Sequence, residues 1–191
     1  LRFGGHGDGT SLSSMDDKMP TAYEESWDIV AGTPTVINGD SGNNSFKYTS
    51  ESMGGTVATL AYVHDANYMD FGLTMTPEAI DGLTVGYARG DTETRSVAAQ
   101  VESTESTLYA TYAIGSVTVG YQMSELDSPT AGSSLDSKAM GISYAVTDNF
   151  SFAYNTHKLE KENDSDEQKS AGFSASYTQG SMTLGGAKNK V

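Results

Sequence analysis

Three histidines, His6, His64 and His157, are the residues best suited to general acid–base chemistry near neutral pH. His64 is followed by Asp65, a partner type that orients histidine in hydrolytic sites. Adjacent residues on a strand point to opposite faces, so a working dyad would need partners from elsewhere, and His64 reads as a polar loop tip. The run Gly4-Gly5-His6-Gly7-Asp8-Gly9 superficially suggests a calcium-binding repeat or a phosphate loop. It occurs once, carries its Asp one place early for the first, and lacks the Lys and following helix of the second. The acids across residues 160–167 lack the glycine turn and ligand spacing of a helix–loop–helix calcium site, so they read as a solvated loop with at most weak calcium binding. No catalytic residue, no metal site and no resident cofactor is assigned, and the chain is not read as an enzyme. With no cysteine, disulfides and thiolate metal sites are excluded.

What remains chemically conspicuous is negative charge. The 191 residues carry 25 Asp+Glu against 11 Lys+Arg, a formal balance of -14, which repels phosphate backbones and excludes nucleic acid as a partner. Six acids, Asp8, Asp16, Asp17, Glu24, Glu25 and Asp28, fall within residues 6–43, a stretch with no sustained period of two. A connection this long is normally functional or disordered. Its apolar cluster Trp27, Ile29, Val30, Val36 and Ile37 predicts that it folds onto something. Two readings stand: a loop tucked inside a barrel, where it narrows the bore, or an ordinary surface excursion.

The elements that must position these acids are strands. From residue 44 onward apolar side chains alternate with small or polar ones, the period of a strand. Met69, Phe71, Leu73 and Met75 alternate with Asp70, Gly72 and Thr74, and Val117, Val119, Tyr121 and Met123 alternate with Thr118, Gly120 and Gln122. Ten such strands are predicted, with Leu1-Arg2-Phe3 as the tail of an eleventh. Short turns at residues 50–55, 76–82, 114–116, 147–149 and 179–181 alternate with longer polar stretches at 90–104, 124–137 and 157–168. This describes an all-β, antiparallel, up-and-down meander of five hairpins over residues 44–191, with two unlike ends.

One face of the meander is Leu, Val, Ile, Met, Phe and Tyr, while the other is mostly Gly, Ser, Thr and Ala. A solvated outer face would carry Lys and Glu; small uncharged residues line a cavity instead. Tyr112, Tyr144 and Tyr177 precede short turns, and Tyr87, Tyr121 and Tyr154 precede long loops, giving the two aromatic girdles that membrane–water interfaces select. No window is long and apolar enough for a transmembrane helix, which leaves a transmembrane β-barrel open. By strand parity Arg2, Lys47, Asp70, Glu105, Gln122, Asn155 and His157 point inward, whereas Arg89, Lys138 and Lys169 point outward, near lipid head groups. Both ends of the chain fall in mid-pattern, so a processed chain or a fragment is expected.

The segment Asn44-Ser45-Phe46-Lys47-Tyr48-Thr49-Ser50, followed by Met53-Gly54-Gly55, resembles the region after the constriction loop of general bacterial porins. Trp27-Asp28-Ile29-Val30 resembles the end of that loop, and the phrase from Gly82 through Tyr87 is similar to porins of alphaproteobacteria. Glu51-Ser52 stands where the family usually has a proline-containing turn. The resemblance covers residues 1–191 as a single barrel piece, with 6–43 as the inward-folded constriction loop. It implies a 16-stranded barrel, a homotrimer in the bacterial outer membrane, and passive diffusion of small hydrophilic solutes, with lipid and lipopolysaccharide as surroundings. The family pattern sets basic wall residues, here Arg2 and Lys47, opposite the loop acids, and an acidic constriction favours cations. The competing expectation is a plugged surface barrel whose loops act as an adhesin or receptor platform.

Overall fold

In a computed structural model the described residues are 1–4, 9–27, 36, 37, 39, 44–92, 103–165 and 167–190. They contain eleven strands: β1 (Arg2–Gly4), β2 (Ser45–Thr49), β3 (Thr56–Val63), β4 (Tyr68–Met75), β5 (Leu83–Thr92), β6 (Ser103–Ile114), β7 (Val117–Asp127), β8 (Leu135–Thr147), β9 (Phe150–Lys161), β10 (Gln168–Gln179) and β11 (Met182–Lys190). They form one sheet in the order of the sequence, every neighbour antiparallel. The up-and-down all-β architecture is therefore as the alternation predicts, and the opening residues do supply an eleventh strand, with Arg2 opposite Lys47.

Several strands run further than the alternation shows. β9 continues to Lys161, and the connection between β7 and β8 shrinks to residues 128–134. Towards the long-loop end both faces become polar, so the period of two fades while the ladder continues through pairs such as Asp136 with Glu160. At the other end the hairpins close tightly. Gly115 and Gly180 take φ of 58° and 62°, the left-handed region glycine enters without strain.

Exposure decides which face is which. Met140 and Ile142 are 57% and 45% exposed, while Ala139 and Ala153 on the opposite face are 5% and 0% exposed. The greasy side of the sheet is thus the uncovered one. On β7, Val117, Val119, Tyr121 and Met123 form an outward apolar row about 20 Å long at ~3.3 Å per residue. Among the described residues no second sheet packs on either face; the buried cluster instead joins Leu12, Met15, Met19, Val36 and Ile37 of the long segment to Ala88, Tyr109, Leu135, Ala139 and Leu159 of the sheet. No helix among the described residues is long and apolar enough to cross a membrane, which says nothing about crossing by strands.

Candidate functional site

The site is where residues 9–27 cross the polar face of the sheet. An irregular segment cannot pair its own backbone, so its N–H and C=O groups need other partners. Wall side chains supply them. The Asp70 carboxylate on β4 accepts the backbone N–H groups of Ser11 at 3.1 Å and Leu12 at 2.8 Å. The Lys47 ammonium on β2 donates to the carbonyls of Gly9 at 3.1 Å and Thr10 at 3.2 Å. Further along, Gln122 Nε2 on β7 donates to the carbonyls of Met15 and Asp16, both at 2.8 Å. Asn155 Nδ2 on β9 donates to Pro20 O at 2.8 Å.

The segment then reaches the last strands. Thr21 Oγ1 shares a 3.1 Å hydrogen bond with Ser174 Oγ on β10, and Ser26 Oγ shares one of 3.3 Å with Ser170 Oγ. Asn189 Nδ2 on β11 donates to Glu25 O at 3.4 Å. Trp27 lies against the His157 ring, centroids 4.8 Å apart. On the return path the Gly39 N–H donates to Glu105 Oε2 at 3.0 Å. The crossing is close because glycines lie beneath it: a Cβ on Gly72 would stand 3.0 Å from Met15 Cε, and one on Gly120 would stand 2.5 Å from Pro20 Cδ.

Of the seven residues assigned inward by parity, Asp70, Glu105, Gln122, Asn155 and His157 are buried on this face; four of them touch the crossing segment, and Glu105 holds Gly39 on the return path. Lys47, expected on a wall facing the acids, is bonded to the segment's backbone instead, while Arg2 is exposed on β1. Of the six loop acids, Asp8 and Asp28 lie outside the described residues. Asp16 and Glu24 are half-buried, Asp17 is exposed, and Glu25 is buried at 5% exposure. The tyrosines Tyr87, Tyr112, Tyr121, Tyr144, Tyr154 and Tyr177 all stand on the outward face, half-buried or exposed. Tyr144 meets Phe152 edge-on at 5.6 Å, and Tyr154 meets Phe173 at 4.7 Å. Tyr68, whose hydroxyl donates to Asp70 Oδ2 at 3.1 Å, and the serines Ser170 and Ser174 were not singled out by sequence. Their parity with Asp70 and Gly172 is the signal that points to them. Among the described residues no group of His, Asp and Glu has metal-holding spacing.

A sheet with an apolar outer face and an irregular segment bonded across its polar face matches a known kind of protein. Residues 1–187 match the model of the Gram-negative porin family. The chain belongs to this family. Porins of this kind are outer-membrane proteins, and the bacterial outer membrane is where this chain resides. Comparison with curated proteins finds no match.

Solved structures agree on the fold. An anion-selective porin from Comamonas acidovorans is 16% identical with a TM-score of 0.66, covering 97% of this chain and 57% of its own. The trimer form of OmpT, an outer-membrane protein of Vibrio cholerae, is 13% identical with a TM-score of 0.65, covering 98% and 65%. A porin refined at 1.8 Å is 16% identical with a TM-score of 0.66, covering 97% and 71%. This chain thus spans 57% of the length of the Comamonas porin. The family and the fold are those implied by the sequence resemblance.

Proposed function

We propose that this porin chain contributes wall and constriction to a water-filled diffusion channel for small hydrophilic solutes, with a preference for cations, and that it is not an enzyme. The observation that carries the reading is the bonded crossing of residues 9–27 over the polar face, from Asp70 on β4 to Asn189 on β11. A segment placed there narrows whatever space the sheet encloses. Edges β1 and β11 carry backbone groups that hydrocarbon cannot satisfy, so the sheet works within a closed barrel, about sixteen strands by family resemblance. Trimer assembly follows the same family reasoning, and weak calcium attraction by the acidic loops is a secondary feature.

Cation preference rests on the sign of the charge, -14 for the chain, and on Asp16, Asp17 and Glu24 along the crossing segment. The similar porin described as anion-selective has the same fold, so the side chains and not the fold set the sign. Planar-bilayer recording of the full-length protein tests the reading. Steady, salt-proportional current with a cation-sided reversal potential is expected, and D17N/E24Q should move that potential towards zero. Absence of current favours the alternative of a plugged barrel presenting loops as an adhesin or receptor. Unchanged selectivity in D17N/E24Q removes the segment from control of the field.

A further inference from the structure

One aromatic side chain on the polar side of the sheet is neither packed away nor part of the outward girdles. Tyr23, on the crossing segment, is 52% exposed. The other described aromatics of that side are covered: Tyr68 and Tyr109 are 1% and 5% exposed, and Trp27 is half-buried against His157. A single exposed aromatic is ordinary on a protein surface. What sets Tyr23 apart is how it is held.

Its ring lies on the backbone of β11. A Cβ placed on Gly185 would stand 2.7 Å from Tyr23 Cγ and 2.8 Å from Cε2, and nearer still to Cδ2 between them. Three consecutive ring atoms at such similar range put the face of the ring, not its edge, on the glycine. Only a residue without a side chain admits that approach. With one face on β11 and half the side chain exposed, the opposite face is open to the space the sheet borders. The turn beneath the ring is pinned at both ends. Thr21 Oγ1 accepts the Tyr23 N–H at 3.3 Å and donates to Glu24 O at 2.9 Å. The Ala22 N–H donates to Ser174 Oγ at 3.3 Å, and Asn189 Nδ2 donates to Glu25 O at 3.4 Å. A rigid ring on a pinned turn loses little freedom when a solute settles on it.

The surrounding chemistry selects the solute. Lysines of β10 and β11, namely Lys169, Lys188 and Lys190, all alternate to the outward face, so no cation of these strands stands beside the ring. Glu24, next to Tyr23 and half-buried, has no ion-pair partner among the described residues. Nearby hydroxyls are engaged with one another: Ser151 with Ser176, the register partner of Gly185, at 3.0 Å, and Thr178 with Thr183 at 2.9 Å. A polyhydroxylated solute competes with those pairs for its hydrogen bonds. A cation needs only the negative face of the ring and a carboxylate.

We propose that the open face of Tyr23 is a binding station for organic cations, substituted ammonium ions above all, with the Glu24 carboxylate supplying the countercharge. The proposal rests on the channel reading and names the solute class that its constriction holds.

Planar-bilayer recording of the full-length protein in potassium chloride tests it, with tetraethylammonium as the probe and a neutral disaccharide for comparison. In the wild type, tetraethylammonium is expected to block the potassium current at concentrations where the disaccharide does not. Y23L removes the ring and should weaken the block by about two- to fivefold, the range of one cation–π contact at an exposed site. Y23F keeps the ring face and should be blocked like the wild type, while E24Q should weaken the block. Equal block in Y23L, a Y23F as weakly blocked as Y23L, or a disaccharide block equal to that of tetraethylammonium would each overturn the station. The potassium chloride reversal potential of Y23L is expected to match the wild type, since the segment keeps its carboxylates. A cation-sided current whose tetraethylammonium block ignores Y23L defeats only this station, whereas absent current defeats the channel reading as well.

Discussion

Asp70 shows how much one buried side chain organises here. Its two oxygens receive the amides of Ser11 and Leu12 and the hydroxyl of Tyr68, so the carboxylate holds the start of the crossing segment to β4. Replacing it with alanine leaves the two amides without this acceptor, a cost of about 1–3 kcal/mol for each buried group left unsatisfied. D70A should therefore speed amide hydrogen exchange across residues 9–16 while the strands keep their protection; unchanged exchange at Ser11 and Leu12 would contradict the assignment. Glu167 makes a second prediction outside the membrane band. Hydrogen bonds from Lys158 and then Lys169 lower its pKa from 4.5 to about 2. A depressed carboxyl pKa means its contribution is present above pH 4.5 and is lost as pH falls through about 2. The Glu167 carboxyl resonance should titrate near 2, and K158Q should raise that midpoint towards 4.5; a midpoint near 4.5 in the wild type would break the bridge assignment. Parity identified Asp70, Glu105, Gln122, Asn155 and His157 as inward residues. It could not say what they touch, because their partners are backbone groups of a segment without periodicity of its own.

At the scale of elements, strand positions were legible wherever one face was greasy and the other small. β4 could be read almost end to end, and β7 from Val117 to Met123 but not through its last residues to Asp127. The outer stretches of β8, β9 and β10 could not, because Asp136, Lys138, Lys158, Glu160 and Lys169 make the outward face as polar as the inward one and the alternation vanishes. The path of the crossing segment was illegible for a different reason: it depends on clearance, which only the backbone reveals. Gly120 supplies part of that clearance beneath Pro20. G120V should push residues 19–21 off the sheet without disturbing the outward face. We expect single-channel conductance to change while the variant still inserts and resists unfolding like the wild type. An identical conductance would mean that the segment does not border the conducting path.

For the whole molecule, the ordering of faces is what separates a membrane wall from a soluble sheet. Ile142 stands on the outward face of β8 between Tyr144 and Met140, and its neighbour Ser143 points to the polar face. An arginine in the hydrocarbon near mid-depth of such a barrel costs about 2–4 kcal/mol, and far less where the side chain borders water. I142R should therefore lower the denaturant stability of the lipid-folded protein by about that amount, with S143R costing clearly less. A larger loss for S143R than for I142R would mean that the small-residue face is the one closed off from water, and would overturn the lipid-facing assignment of Ile142. Comparing the two variants by urea titration in phospholipid vesicles reads the orientation of the wall directly, independently of any current it conducts.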